Sequence, residues 1–516
     1  MTERDALAPV LMVQGTASHA GKTTLVAALC RLFARAGYRV APFKAQNMSN
    51  NAAVTTDGGE VGRAQAMQAM AAGIPVTVDM NPILLKPQSD RTSQIVVLGK
   101  VRHRDDARGY YDRTAELWPV VTGALDRLRA SHDLVIAEGA GSPAEINLER
   151  YDLVNMRVAR YAEAPVVLVG DIDRGGVFAS LFGTVMLLPP SDRALIRGFI
   201  INKFRGDPSL LDPGFAMLEE RTGIPTLGVI PYADLSRVPA EDAVDWAAGA
   251  VDDEKTLIDI AIVRLPRVAN LDEFQPLMAE EGVSVRWISD AAQLREPDLV
   301  IIPGTKSTMA DLEWMRDRGL DRAIQQRRAS GTPVLGICGG FQMLGMELVD
   351  EHGVEARGTM RGLGLLPTIA VFAPEKTTRR VVARVEQSTA LWNANDVTEP
   401  IDGYEIHAGQ LVLSEVAGAY ARPFAVQSVM SEYPDGCTSS DGLVVGTYMH
   451  GLLENDALRY AMLVQLARRK GRTFVPLTKS TSPTRAIDML ADCVRDSIDM
   501  DAIAAMVDRS LTVPAS

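Results

Sequence analysis

Short apolar runs alternate with segments of helical periodicity along the first half of the chain. Each run ends in a polar or glycine-rich turn, and helical spacing covers residues 22–36. Buried strands separated by helices are typical of a doubly wound parallel sheet, whose ligands bind at the carboxyl ends of the strands. The runs predict strands at Pro9–Gln14, Val40–Phe43, Leu134–Ala137, Val166–Val169 and Phe199–Ile201.

A second α/β pattern begins after an acidic, proline-containing interruption in the middle of the chain. Its predicted strands are 257–263, 283–288, 299–302 and 334–337. We therefore predict two doubly wound α/β domains, at residues 1–245 and 257–455, joined by a linker at 246–256. Residues 456–516 have helical spacing, with one helix over 487–506, and are expected to pack on the second domain.

Composition is that of a globular protein without a nucleic-acid or membrane surface. The 516 residues are 47% hydrophobic and 23% charged, a length and balance that predict two to four domains. The net charge is −12, no block of basic residues occurs, and no apolar run approaches a membrane span. The first residues lack the features of a signal peptide, and the four cysteines form no CxxC pair. We expect a reducing, cytoplasmic location.

Cys338 lies in the sequence Gly336-Ile-Cys-Gly-Gly340, between a predicted strand and a helix-compatible segment. This pattern is the cysteine form of a nucleophile elbow, a tight turn that exposes one side chain, and glycines permit its close backbone packing. A helix N-terminus favours the thiolate, and a histidine alongside would complete its activation. We predict that Cys338 is a catalytic nucleophile and His450 its partner; a buried structural cysteine is the alternative.

A candidate phosphate loop, Gly15-Thr-Ala-Ser-His-Ala-Gly-Lys-Thr-Thr24, stands between the first predicted strand and helix. Backbone N–H groups of such loops surround phosphates, while Lys22 would offset phosphate charge and Thr23 would reach Mg²⁺. Five residues separate Gly15 from Gly21 where the standard loop has four, so Thr16 stands at the usual first glycine. The residues predicted to bind ATP are Gly15, Thr16, Gly21, Lys22, Thr23, Thr24 and Asn202.

Polar residues follow the other predicted strands at the same sheet edge. Glu138, before Gly-Ala-Gly-Ser142, offers a carboxylate for Mg²⁺ beside Thr23. Asp57 is a further candidate metal ligand, and Asp171 is an open alternative that a helix cap would also explain. Ordinary strand-to-loop or solvated charged turns are the competing interpretation. The residues predicted to contact substrate or phosphate are Lys44, Asn47 and Arg205.

These motifs together resemble known enzymes. The extended phosphate loop and the turn after Glu138 are similar to dethiobiotin synthetase and its relatives, which use ATP to activate a carboxylate. Residues from about 9 to 455 resemble the glutamine-hydrolysing cobyric acid synthase family of cobalamin biosynthesis, and their second half resembles class I glutamine amidotransferases. The segments that carry the cobyric acid synthase resemblance are Phe43–Asn51, Asp57–Gln65, Asn81–Pro87, Asp171–Phe178 and Asn202–Asp207.

The resemblance implies a substrate and a mechanism. It implies that ATP and Mg²⁺ support amidation of the b, d, e and g carboxylates of adenosylcobyrinic acid a,c-diamide through acyl phosphates, with ammonia released from glutamine at Cys338. Because free ammonia would protonate in bulk water, a passage between the two sites is expected. The resemblance also implies that backbone N–H groups at Gly339 and Gly304 stabilise the oxyanion. Glu405 and His407 would lie near the glutamine.

The group that orients His450 is left open. Related amidotransferases carry a glutamate two residues after the histidine, but this chain has Leu452 there. Glu454 is a substitute that would point differently, and Glu405 with His407 forms an alternative pair by composition. We therefore predict a cysteine–histidine dyad.

Two other functions stay open. One is the sister amidase that acts on the a and c carboxylates, and it differs in the corrinoid consumed. The other is a regulatory module in which the phosphate loop is a nucleotide switch and the second half is inactive, which would hydrolyse nucleotide without hydrolysing glutamine. Assembly into a homo-oligomer is left open as well.

Overall fold

The protein is described by a computed structural model over residues 7–88, 91–232, 256–413, 420–428, 431–476 and 483–507. These residues form two compact units. Within the described ranges, the first unit comprises 7–49, 59–232 and 483–507, and the second comprises 50–58 and 256–476. Most of the predicted linker, 246–255, lies outside the described residues. The division differs from the predicted domains because residues 50–58 group with the second unit and 483–507 with the first.

The first part of the chain alternates strands and helices. Its strands are β1 Val10–Gly15, β2 Val40–Phe43, β3 Gln46–Met48, β4 Ala52–Val54, β5 Glu60–Gly62, β6 Ile83–Pro87, β7 Thr92–Val97, β8 Lys100–Asp106, β9 Leu134–Glu138, β10 Val166–Asp171, β11 Ile196–Phe204 and β12 Thr226–Pro231. Its helices are α1 Lys22–Arg35, α2 Arg63–Ala72, α3 Ala107–Asp112, α4 Thr114–Ser131, α5 Met156–Ala162, α6 Val177–Leu187, α7 Pro190–Arg193 and α8 Asp212–Thr222.

The main sheet of the first unit is parallel and has the strand order β12-β11-β10-β1-β9-β2. Successive residues of β1 face opposite sides, so Val10 and Met12 enter one hydrophobic core while Leu11 and Val13 enter another. Burial on both faces explains why the strands are uninterrupted apolar runs. The predicted doubly wound parallel sheet is confirmed. A smaller sheet has the order β3-β6-β7-β8.

The second part of the chain repeats the alternation and ends in helices. Its strands are β13 Ile258–Val263, β14 Val283–Ile288, β15 Leu299–Ile302, β16 Val334–Ile337, β17 Glu347–Asp350, β18 Gly358–Arg361, β19 Thr368–Val385, β20 Ile401–Leu413, β21 Phe424–Gln427, β22 Glu432–Asp435, β23 Cys437–Thr438 and β24 Val444–Thr447. Its helices are α9 Gln275–Met278, α10 Ala291–Leu294, α11 Thr308–Asp317, α12 Leu320–Ala329, α13 Gly339–Leu344, α14 Asp456–Arg469, α15 Pro483–Arg495 and α16 Met500–Val507.

The second unit is built on a sheet of order β14-β13-β15-β16-β24-β23. All its pairs are parallel except that of β23 with β24. A further sheet has the order β18-β17-β19-β21-β22, with β20 paired to β19. The carboxyl ends of the neighbouring strands β15, β16 and β24 carry Gly304, Cys338 and His450 into the loops that follow. Parallel strand direction thus brings these loops to one sheet edge.

The C-terminal region differs from the prediction. Helix α14 packs on the second unit through Leu458, Met462 and Leu466, as expected. The predicted helix over 487–506 is instead two helices, α15 and α16, and both bury apolar residues in a core of the first unit.

The break between α15 and α16 has a visible cause. Val229 N donates to Ser497 O at 3.1 Å, and Asp499 N donates to Leu227 O at 2.7 Å, so residues 497–499 pair with the edge strand β12. This pairing removes those residues from any helix and protects the sheet edge. Within the described residues, no helix is long and apolar enough to cross a membrane.

Candidate active sites

Cys338 occupies a strained turn between β16 and α13. Its backbone has φ 51° and ψ −107°, a left-handed conformation that few non-glycine residues adopt. A Cβ on Gly340 would lie 2.0 Å from Ile302 O, and one on Gly336 would lie 2.9 Å from the backbone oxygen of Gly340. The turn therefore requires glycine at both positions, and the predicted elbow geometry is present around the thiol.

His450 lies against Cys338. A Cβ on Gly304 would sit 2.7 Å from His450 Cε1 and 3.7 Å from Cys338 Cβ, so this glycine adjoins both side chains. Burial alone would lower the pKa of His450, but the Glu273 carboxylate and the Cys338 sulfur, both hydrogen-bonded to the ring, raise it to about 10. The arrangement favours an imidazolium that can stabilise a thiolate.

Glu273 supplies the partner of the histidine that the sequence left open. Its Oε1 lies 3.3 Å from His450 Nδ1, and Gly451 N donates to its Oε2 at 3.3 Å. Glu273 ends up there because the short turn Leu271–Phe274 follows β13 at the same sheet edge. Glu454, by contrast, is exposed. No spacing rule relates Glu273 to His450, so sequence analysis missed it.

Glu405 and His407 form a separate buried network. Glu405 accepts from Arg379 Nε at 2.7 Å and from Tyr433 OH at 2.8 Å, and its Oε2 lies 3.7 Å from His407 Nε2. Burial would raise the pKa of Glu405, but His407, Arg379 and Tyr433 lower it. The carboxylate is therefore ionised and held in place.

The residues next to Glu405 and His407 bring this network close to the Cys338 thiol. The His407 ring stacks on Tyr448 with centroids 3.9 Å apart, and Tyr448 OH accepts from Gln342 Nε2 at 3.3 Å. The Cys338 thiol lies 3.6 Å from Ile406 O, between the two predicted residues in sequence. Their proximity to the thiol agrees with a place beside the glutamine; their roles stay predictions.

The predicted oxyanion region lies beside the elbow. A Cβ on Gly339 would be 3.1 Å from Thr305 N, so the loop after Gly304 approaches the backbone that follows the cysteine. Two backbone segments with N–H groups thus converge near Cys338. Donation to an oxyanion remains a prediction for both glycines.

The phosphate loop of the first unit begins at Gly15, the last residue of β1, and ends at α1. Thr16 N donates to Val169 O at 3.0 Å, and Lys22 Nζ donates to Ala17 O at 2.9 Å and to Gly141 O at 3.1 Å. A Cβ on Gly15 would lie 3.0 Å from Lys22 Nζ. The loop therefore folds around its lysine, as a phosphate cradle requires.

Gly21 and Asn202 meet at the end of the loop. Gly21 has φ 97°, and a Cβ there would lie 1.9 Å from Asn202 Nδ2. Asn202 Nδ2 donates to Ala20 O at 2.9 Å, while Thr24 Oγ1 donates to Gly21 O at 2.9 Å. The structure thus gathers the predicted nucleotide residues at one loop.

Glu138, at the carboxyl end of β9, binds two of the predicted residues, Thr23 and Lys44, and also Gln68, which the sequence analysis did not single out. Its Oε1 accepts from Thr23 Oγ1 at 2.8 Å and from Lys44 Nζ at 2.9 Å, and its Oε2 accepts from Gln68 Nε2 at 2.5 Å. Burial would raise the pKa of Glu138, but Lys44, Gln68 and Thr23 lower it. A hydroxyl next to an ionised carboxylate fits the oxygen ligands of Mg²⁺ with phosphates.

The remaining predicted residues are more dispersed. Asn47 Nδ2 donates to Gln65 Oε1 at 3.2 Å, and Gln65 Nε2 lies 3.5 Å from Oε1 of Gln68, which binds Glu138. Arg205 lies with its guanidinium carbon 3.5 Å from the Tyr232 ring centroid. Asp57 belongs to the second unit, where it accepts from Thr55 Oγ1, so a shared site with Thr23 and Glu138 stays a prediction. Among the described residues, no group of three His, Cys, Asp or Glu could hold a metal.

Two known protein families match this chain, one in its N-terminal half and one in its C-terminal half. Residues 11–244 match the family described as CobQ/CobB/MinD/ParA nucleotide binding domain. Residues 259–458 match the CobB/CobQ-like glutamine amidotransferase domain.

Similar proteins extend over nearly the whole chain. A cobyric acid synthase of Dehalococcoides mccartyi (strain CBDB1) is 47% identical over 98% of this chain and 100% of its own length. One from Chloroflexus aurantiacus is 51% identical over 94% of this chain and 96% of its own. One from Mycolicibacterium paratuberculosis is 48% identical over 96% of each.

A doubly wound unit with a phosphate loop and another with an elbow cysteine beside a histidine define a nucleotide-using, glutamine-dependent ligase. Within that class, sequence identities of 47% and 51% to cobyric acid synthases, over 98% and 94% of this chain, show the family. The chain belongs to the cobyric acid synthase family.

Proposed function

We propose that the protein amidates the b, d, e and g carboxylates of adenosylcobyrinic acid a,c-diamide in cobalamin biosynthesis, using ATP and glutamine to give adenosylcobyric acid. The observation that carries this proposal is the buried contact of Cys338, His450 and Glu273 in a chain that also forms a phosphate loop. Family membership over nearly the full length supports the choice of corrinoid.

The thiol site releases ammonia. The Cys338 thiolate attacks the amide carbon of glutamine, and N–H groups at Gly339 and the Gly304 loop stabilise the oxyanion. His450 gives its Nε2 proton to the leaving ammonia, which leaves a glutamyl thioester. A water molecule then attacks the thioester as His450 takes its proton, and glutamate leaves. Glu273 keeps Nδ1 protonated, so Nε2 is the atom that exchanges the proton with substrate.

The phosphate-loop site activates a carboxylate. Hydroxide is a poor leaving group, so a corrinoid carboxylate first attacks the γ-phosphorus of ATP, and ADP leaves as an acyl phosphate forms. Ammonia then attacks the acyl carbon, and phosphate leaves. Lys22 and Lys44 would offset the charges of the phosphates and the carboxylate. Mg²⁺, held by Thr23 and Glu138, would neutralise charge on the phosphate oxygens.

Mass spectrometry of the corrinoid tests the proposal. We expect adenosylcobyrinic acid a,c-diamide, incubated with Mg-ATP and unlabelled glutamine, to lose about one mass unit for each amidation, since NH₂ replaces OH. Amide-¹⁵N glutamine should leave the nominal mass unchanged and place the label in up to four amides. If that substrate is untouched while the unamidated precursor is converted at a and c, the sister activity is correct instead.

A variant separates the two half-reactions. Cys338→Ser should abolish glutamine-dependent amidation but retain amidation with added ammonium salt. Loss with both nitrogen sources, in a protein that is still folded by circular dichroism, would contradict a role confined to ammonia release.

A further inference from the structure

Residues 50–58 reach the histidine of the thiol site through Asn270. This segment follows Ser49 along the chain and groups with the second unit. Asn51 Oδ1 accepts from Leu271 N at 3.1 Å, and Ala52 N donates to Asn270 Oδ1 at 3.0 Å. Asn51, Ala52 and Asn270 are all buried. The segment is therefore fixed to the turn that also carries Glu273.

The Ala52 contact determines which way the Asn270 amide faces. A backbone N–H only donates, so the amide atom opposite Ala52 N must be the oxygen. The amino group, which also only donates, consequently faces the other way. It lies 3.3 Å from His450 Nδ1. The hydrogen bond from Ala52 N therefore fixes the orientation of the Asn270 amide.

Asn270 and Glu273 favour opposite protonation states of the same nitrogen. When Nε2 faces Cys338 as a base, Nδ1 carries a proton, and it carries one in the imidazolium as well. Glu273 Oε1, 3.3 Å away, accepts that proton and favours both states. An amino group cannot donate to a protonated Nδ1. It donates only to the unprotonated Nδ1 of the other tautomer, in which Nε2 carries its proton toward the thiol.

We propose that Asn270, oriented by Ala52, is a positioning residue that opposes protonation of His450 Nδ1, so that residues 50–58 restrain glutamine hydrolysis. This inference rests on the proposed glutaminase function. When Ala52 N moves away from Asn270, the amide can rotate and present its oxygen to His450 Nδ1–H. Asn270 then accepts from the protonated Nδ1 and no longer opposes its protonation. The segment continues the chain of β3, which carries the proposed substrate contact Asn47. A movement of β3 on ligand binding would therefore be passed along the backbone to residues 50–58 and would shift Ala52 N relative to Asn270.

Two variants of the full chain test the restraint. Asn270→Leu removes the hydrogen-bonding amide and keeps the branching at Cγ, with somewhat larger terminal groups. Asn270→Asp keeps the shape, lets one oxygen accept from Ala52 N and replaces the opposing donor by an acceptor. Both should raise the rate of glutamate formation without ATP or corrinoid by roughly three- to tenfold, with an unchanged KM for glutamine. The restraint also predicts that ATP and corrinoid together stimulate glutamine hydrolysis by the wild-type protein, and this stimulation should be smaller in both variants by a similar factor.

The pH dependence of Cys338 alkylation by iodoacetamide distinguishes positioning from packing. The titratable groups placed against His450 are Cys338, Glu273 and Tyr404, whose ring stacks at 5.3 Å. Better stabilisation of the imidazolium should move the acid limb of alkylation to lower pH in both variants, and further for Asn270→Asp. Thermal melting checks that each variant is folded.

The outcomes separate the two proposals. A wild-type protein that forms no more glutamate than Cys338→Ser, with all substrates present, would overturn the glutaminase function itself. A wild-type protein that is active, with folded Asn270 variants that are slower or unchanged, or whose alkylation profile does not move, would overturn only the restraint.

Discussion

Glu273 Oε1 lies 3.3 Å from His450 Nδ1 although 177 positions separate the residues along the chain. Their side chains are 0% and 2% exposed. A carboxylate so deeply buried needs a charged or hydrogen-bonded partner, and the imidazolium of His450 provides one. Glu273 thus provides the carboxylate partner of His450 that related amidotransferases are expected to carry two residues after the histidine, where this chain has the buried Leu452.

Glu273→Gln is expected to lower the kcat for glutamine hydrolysis on the order of a hundredfold. The substitution removes the charge that raises the pKa of His450, so that pKa falls below about 10 and the imidazolium is lost at lower pH. The measurements are glutamate formation and the rate of Cys338 alkylation against pH. Amidation with ammonium salt should persist.

The matched control is Glu454→Gln, which alters an exposed carboxylate close to His450 in sequence. It should change the glutaminase rate less than twofold, roughly the effect of an ordinary surface substitution. A large loss in Glu454→Gln together with normal activity in Glu273→Gln would reverse the assignment.

Lys22→Ala should abolish amidation with either glutamine or ammonium salt, while glutamine hydrolysis without nucleotide continues. The reason is that Lys22 reaches across the loop to Ala17 O and Gly141 O and is the cation that phosphates would meet. Product formation and nucleotide binding are measured together. Lys100→Ala, at an exposed position of β8, is the control and should behave as wild type. Normal amidation by Lys22→Ala would remove the loop from the mechanism.

Much of the scaffold could be predicted from the sequence because its signals are local. The strands Val40–Phe43, Val283–Ile288, Leu299–Ile302 and Val334–Ile337 have the predicted bounds, since buried parallel strands are short apolar runs that end at turns. Cys338 and Lys22 were predicted as site residues in the same way, because an elbow and a phosphate loop each confine their sequence signal to about ten consecutive residues.

The rest depends on contacts between distant residues. Amphipathic spacing shows that the end of the chain forms helices, but an apolar helix face carries no information about which core it will cover. Helix α15 therefore was expected on the second unit and packs on α1 of the first. Glu273 and Asn270 were missed for the same reason: only the folded chain brings them to His450.

Gly21→Ala should weaken nucleotide binding and destabilise the first unit. A Cβ at this position would lie 1.9 Å from Asn202 Nδ2, and the residue has φ 97°. The alanine therefore adds a clash to the left-handed strain, at a total cost of roughly 2–4 kcal/mol. Urea unfolding and nucleotide titration measure the two effects.

Gly37→Ala is the control for Gly21→Ala because it introduces the backbone strain of a positive φ without a steric clash. Gly37 has φ 94°, but a Cβ there would meet nothing within 4 Å. We expect a loss of about 1 kcal/mol and unchanged nucleotide binding. Equal effects of the two substitutions would show that contact between Gly21 and Asn202 does not matter.

Ile487→Ala should destabilise the first unit, although the residue lies almost at the end of the chain. Ile487 is 1% exposed within the core that also contains Leu29 and Phe33 of α1. Truncating a buried isoleucine leaves a cavity, with a typical loss of about 2–4 kcal/mol. Arg31 and Arg35 pair with Asp488 beside it, but these ion pairs are partly exposed and contribute little. Hydrogen exchange of the α1 amides and urea unfolding should both register the loss, because α1 and α15 share this core.

The matched control is Met489→Ala, on the same helix at a residue 62% exposed, which should cost less than about 0.5 kcal/mol. If Ile487→Ala were as mild as Met489→Ala, α15 would not be an integral part of the unit that carries the phosphate loop.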